Sequence, residues 1–180
     1  MTLEELIITG FRIFGALLVL RWALVGSIAA VVIDLSDLFL MNLLDLGTVR
    51  NYQALDKWLD LSYMLSFGWV ALKWRGAARR FSLVLLFYRI AGVGVFEVTG
   101  SREILLWFPN LFEFWFIFYA ACIHFKSIEK ARFRNLLLAF APFAVLKEFQ
   151  EYALHGAKWL DQYRAIDVVK DSWYWIVKHI

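Results

Sequence analysis

The chain has 180 residues, of which 62% are hydrophobic and 18% aromatic, and its formal net charge is +3. A soluble domain is nearer half apolar and carries its apolar residues in short periodic sets. One crossing of a bilayer takes about 20 mostly apolar residues. The composition therefore excludes a soluble domain of useful size and predicts an all-α, polytopic integral membrane helix bundle, with residues 1–180 forming a single transmembrane domain.

Five apolar segments follow one another along the chain. They run approximately from Leu6 to Ile33, Ala54 to Leu72, Phe81 to Val98, Pro109 to Phe125 and Leu136 to Leu154. The first segment carries Arg12 near its start and Arg21 near its middle. A polar connector with some helical content is expected from Asp34 to about Asp56. The stretch SREILLWFPN predicts a short turn and helix before the fourth segment.

The end of the chain predicts two further features. Pro142 lies inside the fifth segment and should kink it, because proline removes one backbone hydrogen bond and crowds the preceding turn. The tail from Gly156 mixes charges with aromatic residues such as Trp159 and Trp173. Amphipathic rings collect at the headgroup level of membranes. We therefore expect about five transmembrane helices followed by a short interfacial C-terminal helix.

Orientation follows from the basic loops, because cytoplasmic loops of membrane proteins are enriched in Lys and Arg. The densest basic clusters are KWRGAARR at 73–80 and KSIEKARFR at 126–134. We expect both in the cytoplasm, as topology determinants and not as nucleic-acid sites. With one span before Asp34, the N-terminus is then cytoplasmic and the acidic residues extracytoplasmic. The expected location is the plasma (inner) membrane of a bacterium.

Acidic side chains form three groups that this topology puts at a similar depth. The groups are Asp34 with Asp37, Asp56 with Asp60, and Glu151 with His155. Spacings of three or four residues put the members of each group on one helix face. Each aspartate taken singly is also consistent with a polar helix end in the headgroup region. Taken together, acids beside apolar spans favour a site facing the bundle interior or a water-filled cavity.

The chemistry of these groups favours a metal. Closely packed like charges repel unless a cation, a proton or an arginine lies among them. Carboxylate oxygens suit Mg²⁺, Ca²⁺ or Mn²⁺, and the imidazole of His155 leaves Zn²⁺ as a less favoured ion. We predict metal ligation by Asp34, Asp37 and Asp56. We predict acid or base catalysis by Asp60, Glu151 and His155.

Two arginines of the predicted spans should be paired with other groups, since a charge near mid-helix is costly unless paired. Arg21 and Arg89 either pair with acids and fix helix packing, or bind an anionic group such as a lipid phosphate. Of these alternatives, we predict that both arginines bind an anionic ligand.

The spacing Asp34-x2-Asp37 followed by Asp56-x3-Asp60 resembles the carboxylate skeleton of the CDP-alcohol phosphatidyltransferases. The motif of that family is D-x2-D-G-x2-A-R, followed after a gap by G-x3-D-x3-D. The resemblance implies that the first three aspartates bind divalent metal and that Asp60 is the base that activates an alcohol. The glycines and the Ala-Arg pair of the motif are replaced here by Leu38, Tyr52, Met41 and Asn42.

Three classes of function stay open on the sequence. A metal-dependent enzyme would act on a lipid or lipid-phosphate substrate, because a site at headgroup depth meets lipids first. A cation or proton transporter would use the same carboxylates for binding and transfer, and a chain this small would be expected to form a homodimer. An accessory subunit of a larger membrane complex would use the acids as an interface. The sequence favours the enzyme narrowly.

Overall fold

The computed structural model describes residues 2–44, 52–101, 103–126, 132–153, 173–175 and 177–178. The main elements in these ranges are α1 (Leu3–Arg21), α2 (Ala23–Leu44), α3 (Tyr52–Ala71), α4 (Gly76–Thr99), α5 (Ile104–Trp107), α6 (Leu111–His124) and α7 (Phe133–Glu151). Every regular element of the described part is helical, so the all-α prediction is confirmed.

The first two helices form an antiparallel hairpin. α1 begins with a capping box: the Thr2 side chain accepts a hydrogen bond from the Glu5 amide, and the Glu5 carboxylate accepts one from the Thr2 amide. Only Trp22 separates α1 from α2. The chain reverses at this residue, so that a Cβ added at Gly15 of α1 would lie 3.2 Å from the Ala30 Cα of α2. Small residues let the two backbones approach this closely.

The hairpin overturns three sequence predictions. A single helix from about Leu6 to Ile33 is wrong, because that stretch is divided at Trp22. A polar connector from Asp34 is wrong in its first part, because α2 continues to Leu44. Asp34 lies midway along α2, opposite Arg12 midway along α1, so the prediction of one complete span between the N-terminus and Asp34 is also wrong. The side of the membrane on which the acids lie stays a prediction.

The other predicted segments correspond to single helices. The second, third and fifth segments are α3, α4 and α7, and Pro142 lies inside α7 as expected. The fourth segment is α6, which begins at Leu111, so that Pro109 precedes the helix and is not in its first turn. The connector before α6 contains the short helix α5. The predicted interfacial tail lies outside the described residues except at 173–175 and 177–178, which are helical.

An aromatic core joins α3, α4, α6 and α7. The side chains of Trp115, Phe116 and Phe67 are completely buried. The Trp115 indole N–H donates to the Ser82 hydroxyl at 2.8 Å. The rings of Phe67 and Phe116 stack with centroids 4.2 Å apart. Burying each large ring contributes about 1.5–3 kcal/mol, so this cluster fixes α6 against its three neighbours.

The two ends of the bundle differ in charge. Trp74 stacks on Phe116 at 5.0 Å, and Phe81 packs on Phe133 at 6.0 Å, which puts the α3–α4 turn beside the start of α7. Exposed cations at this end, called the basic end, are Arg21, Lys73, Arg75, Arg79, Arg80, Lys126, Arg132 and Arg134. The opposite end, called the acidic end, holds the ends of α2 and α4 and the starts of α1 and α3.

The outward faces of the helices carry many large apolar side chains. Phe14, Leu17, Trp69 and Phe87 are each more than half exposed. The stretches Gly76–Thr99 and Ile104–His124 are long and apolar enough to cross a membrane by length and composition. Two such stretches are weak support for a membrane protein and fewer than the five spans predicted, so a bundle of that size stays a prediction.

The hairpin packing predicts the effect of two alanine substitutions in its own helices. A Cβ at Gly26 would lie 2.5 Å from backbone atoms of Leu18 and Val19, whereas nothing lies within 4 Å of a Cβ at Gly10. Gly26→Ala should lower the free energy of unfolding by about 2 kcal/mol through overpacking. Gly10→Ala should be neutral or stabilise by up to about 1 kcal/mol. Thermal unfolding in detergent checks both, and a Gly26→Ala variant as stable as the wild type would contradict the close approach.

Candidate functional site

One guanidinium lies among four carboxylates, about halfway along α1 and α2 and in the first half of α3. Arg12 Nε donates to Asp37 Oδ2 at 2.7 Å. Its Nη2 donates to Asp56 Oδ1 at 2.7 Å and its Nη1 donates to Asp60 Oδ1 at 3.1 Å. The same Nη1 also pairs with Asp34 Oδ1. We call Arg12 and these four aspartates the acid cluster.

The local structure explains why these side chains meet. Arg12 and Asp34 lie at similar distances from Trp22 on the two arms of the hairpin, so chain reversal brings them to one level. Asp37 follows Asp34 by one turn of α2, and Asp60 follows Asp56 by one turn of α3. Residues three or four apart share a helix face. Three helices therefore each present their polar face to the same point.

The acid cluster is buried on one side and open on the other. The side chains of Arg12 and Asp37 are 1% and 0% exposed, whereas those of Asp34 and Asp56 are 23% and 19% exposed. Asp37 Oδ1 is buried and accepts no hydrogen bond from the described residues. The cluster is therefore reached from outside through Asp34 and Asp56, with Arg12 and Asp37 behind them.

Three of the aspartates have the geometry of a cation site. Asp34, Asp56 and Asp60 each offer one carboxylate oxygen, and these oxygens lie within 4.8 Å of one another. Ligand oxygens lie about 2.1 Å from Mg²⁺ and about 2.4 Å from Ca²⁺. Two oxygens on opposite sides of one ion are therefore about 4 to 5 Å apart. The donor set fits a hard divalent cation better than Zn²⁺, which favours nitrogen and sulfur ligands.

The charges of the acid cluster also favour further positive charge. Taken by themselves and fully ionised, the five groups have four negative charges against one positive charge, that of Arg12. Two carboxylate charges 4.8 Å apart, the largest separation among the oxygens of Asp34, Asp56 and Asp60, repel by about 3–4 kcal/mol with an effective dielectric constant near 20. Binding a proton or a cation therefore lowers the energy of these five groups.

A second group of polar side chains, the inner network, lies deeper in the bundle. Its members are Tyr63, Asn110, Glu113, Lys147 and Glu151, each 4% exposed or less. Tyr63 and the Asn110 amide both donate to Glu113 Oε2 at 2.9 Å. The Asn110 backbone N–H donates to Glu151 Oε1 at 3.1 Å. Lys147 Nζ lies 3.6 Å from Glu113 Oε1 and 3.5 Å from Glu151 Oε1.

The acid cluster and the inner network are neighbours. Tyr63 follows Asp60 by one turn of α3. Asp34 interacts electrostatically with both Glu113 and Lys147. Buried ionisable groups therefore continue from the partly exposed Asp34 to Lys147 of α7.

The structure brings some of the predicted site residues together and separates others. Asp34, Asp37, Asp56 and Asp60 converge. Glu151 lies in the inner network and not in the acid cluster, and His155, its predicted partner, lies outside the described residues. Metal ligation and catalysis by these residues stay predictions.

The two arginines predicted to bind a ligand have different surroundings. Arg21 is exposed at the basic end, with its guanidinium 6.0 Å from the Trp22 ring. Its predicted position in mid-helix is therefore wrong, because it lies at the hairpin turn, far from the acid cluster. Arg89 is buried and donates from Nη1 to the Phe108 carbonyl at 2.7 Å, while its Nε has no hydrogen-bond partner. Anion binding at Arg89 stays a prediction.

No role in the site was predicted for Arg12, Tyr63, Asn110 or Lys147. A signal for Arg12 was present in the length of the first apolar stretch. It forms α1 with 19 residues and α2 with 22, which is about twice the length of one span. The pair Arg21-Trp22 in the middle is typical of headgroup level. Together these features indicate a hairpin, and the hairpin puts Arg12 opposite Asp34. No comparable signal marks Lys147 as a partner of Glu113.

Comparisons of the chain with protein-family models, with curated proteins and with solved structures find no match. In the part of the chain that the structure describes, the fold and the polar groups define an all-helical bundle with a buried ionisable interior that is partly exposed at Asp34 and Asp56.

The inner network predicts a charge-pairing effect. Lys147→Met should lower the free energy of unfolding by about 3–5 kcal/mol, because it leaves two buried glutamates without their ammonium partner. Adding Glu113→Gln should recover part of this loss by removing one of the two negative charges. Lys73→Met, at an exposed position, is the matched control and should change stability by less than about 0.5 kcal/mol. Thermal unfolding in detergent measures all three, and equal stability of the Lys147 and Lys73 variants would contradict the pairing.

Proposed function

We propose that this chain is an integral membrane protein whose acid cluster binds a divalent cation and serves chemistry on a phosphate-bearing lipid. One observation carries the proposal. Asp34, Asp56 and Asp60 hold three carboxylate oxygens within 4.8 Å of one another. The side chains of Asp34 and Asp56 are partly exposed, so a cation and an anionic group have a route to this point.

Three features support a membrane location. The outward faces are apolar on several helices. Two helical stretches have the length and composition of spans. Exposed cations gather at the basic end, and an excess of Lys and Arg on one side is typical of membrane proteins. By that rule the basic end is cytoplasmic and the start of α1 extracytoplasmic, with the acid cluster about halfway along the α1–α2 hairpin.

The proposed chemistry assigns different roles to the aspartates. A divalent cation held by Asp34 and Asp56 would supply positive charge for a phosphate group. Asp60, the third carboxylate of the triad, lies deeper, at 7% exposure. It would hold the cation with one carboxylate oxygen and move a proton at the reacting oxygen with the other. This assignment agrees with the resemblance to CDP-alcohol phosphatidyltransferases at Asp34, Asp56 and Asp60, and differs at Asp37, which pairs with Arg12.

A second candidate function is proton or cation transfer. The observation that favours it is the continuation of buried ionisable groups from Asp34 through Tyr63 and Glu113 to Lys147. Such chains inside membrane proteins serve proton and ion pathways. Under this alternative a proton or cation binds first at the acid cluster and then passes to the inner network. A response to pH without any response to divalent cations would favour it.

The first prediction from the proposal is stabilisation by divalent cations. Mn²⁺ or Mg²⁺ at about a hundred times its dissociation constant should stabilise the protein by about 2.7 kcal/mol. For a chain of this size the melting temperature should rise by roughly 5–10 °C. The rise should disappear in an Asp34→Asn/Asp60→Asn variant. Glu97→Gln, which removes an exposed acid outside the cluster, should keep it.

Thermal unfolding after EDTA treatment and after adding back each ion measures this effect. An unchanged wild-type melting temperature with Mg²⁺, Ca²⁺ and Mn²⁺ would contradict the cation site. An equal rise in the wild type and the double variant would place the ion elsewhere.

The second prediction concerns topology. The chain has one cysteine, so single-cysteine variants can be made in a Cys122→Ser background. A membrane-impermeant thiol reagent should label Leu3→Cys and Ser101→Cys from the extracytoplasmic side. Arg21→Cys and Arg75→Cys should be labelled from the cytoplasmic side. Labelling of positions 3 and 21 from the same side would contradict a hairpin that crosses the membrane.

A further inference from the structure

Arg12 contacts the same carboxylates that form the candidate cation site. Its Nη1 pairs with both Asp34 Oδ1 and Asp60 Oδ1, and its Nη2 pairs with Asp56 Oδ1. A divalent cation held at about 2.1–2.4 Å by one oxygen of each of these three carboxylates would lie close to the guanidinium, where two positive charges repel. The guanidinium and the cation therefore compete for one position.

Asp37 offers Arg12 a second position. Arg12 Nε already donates to Asp37 Oδ2 at 2.7 Å. The other oxygen, Asp37 Oδ1, is buried and accepts no hydrogen bond from the described residues. Guanidinium and carboxylate groups form two parallel hydrogen bonds when they meet side by side. Nη2 lies on the same side of the guanidinium as Nε–H, so a rotation that gives Oδ1 its donor would withdraw Nη2 from Asp56 and draw the whole guanidinium toward Asp37.

We propose that Arg12 is an internal counter-ion that occupies the cation site and moves to a two-bond pair with Asp37 when a divalent cation binds. This inference rests on the proposed cation site and adds a residue that sets its affinity. Without a divalent cation, Arg12 keeps the aspartates from repelling one another. With the cation bound, Asp37 holds the displaced positive charge behind the site.

Substitution of Arg12 and substitution of a cation ligand should change the cation affinity in opposite directions. Loss of a ligand weakens cation binding. Loss of Arg12 removes a competitor and should strengthen binding, although it destabilises the protein without a cation. Loss of the second Asp37 oxygen as an acceptor should weaken binding, but mainly while Arg12 is present to need it.

The test is a Mn²⁺ titration of purified protein in detergent, with free Mn²⁺ followed by electron paramagnetic resonance and with melting temperatures measured in parallel. Arg12→Gln should bind Mn²⁺ at least about tenfold more tightly than the wild type, which corresponds to about 1.4 kcal/mol. Its melting temperature should fall below that of the wild type in EDTA and approach it in Mn²⁺. Arg21→Gln removes an exposed arginine of the same helix and should match the wild type in both measurements.

A double-mutant cycle of Arg12 and Asp37 is the second part of the test. Asp37→Asn should weaken Mn²⁺ binding several-fold in the wild-type background and by a clearly smaller factor in the Arg12→Gln background, where only the attraction of the Asp37 charge for the ion is lost. A merely structural role for Asp37 would weaken binding equally in both. If Arg12→Gln does not fold, Asp37→Asn alone decides: unchanged Mn²⁺ affinity would overturn the inference.

The outcomes distinguish this inference from the proposed function. If the wild type binds Mn²⁺ and Arg12→Gln binds it no more tightly, the counter-ion role is wrong and the cation site stands. If neither protein binds Mn²⁺, the cation site and the counter-ion role are both wrong. Tighter binding in Arg12→Gln together with the Asp37 coupling supports both.

Discussion

The pairing of one guanidinium with four carboxylates is the interaction on which the packing of α1 against α2 and α3 depends. Arg12 contacts aspartates of α2 and α3 from α1 and is itself almost fully buried. Isolated, either the arginine or the aspartates would be very costly in this position. Because guanidinium presents five donors in a planar fork, it can bridge several carboxylates, which a lysine ammonium in the same place would do less well.

Much of the fold could be predicted from composition and hydropathy, and the hairpin shows where this approach ends. Apolar runs located α3, α4, α6 and α7 because each is bounded by charged or turn residues. The run containing α1 and α2 has no proline at Trp22, and Arg21 is the only charged residue beside it, so hydropathy averaged along the run joined the two helices. The reversal depends on close packing through Gly15 and Gly26, which is a tertiary effect that local propensity does not record.

The aspartates of the acid cluster were predicted as site residues, whereas the basic residues Arg12 and Lys147 were not. Asp34, Asp37, Asp56 and Asp60 were identifiable because helical spacing alone puts each pair on one face. Arg12 was missed, since the helices that pair with it become known only once the α1–α2 hairpin is recognised. The inner network shows the same limit: Lys147 is one of several lysines in the sequence, and its pairing with Glu113 depends on how α6 and α7 pack. Spacing predicts neighbours within a helix, and packing decides neighbours between helices.

The central claim is that a divalent cation and Arg12 exchange places on the same carboxylates. The most direct measurement is a crystal structure of the protein with Mn²⁺, using the anomalous scattering of the ion to locate it. We predict an anomalous peak within about 2.0–2.6 Å of oxygens of Asp34, Asp56 and Asp60, with Arg12 forming two hydrogen bonds to Asp37. Arg12 still bridging Asp34 and Asp60, with no anomalous peak at the acid cluster, would contradict it.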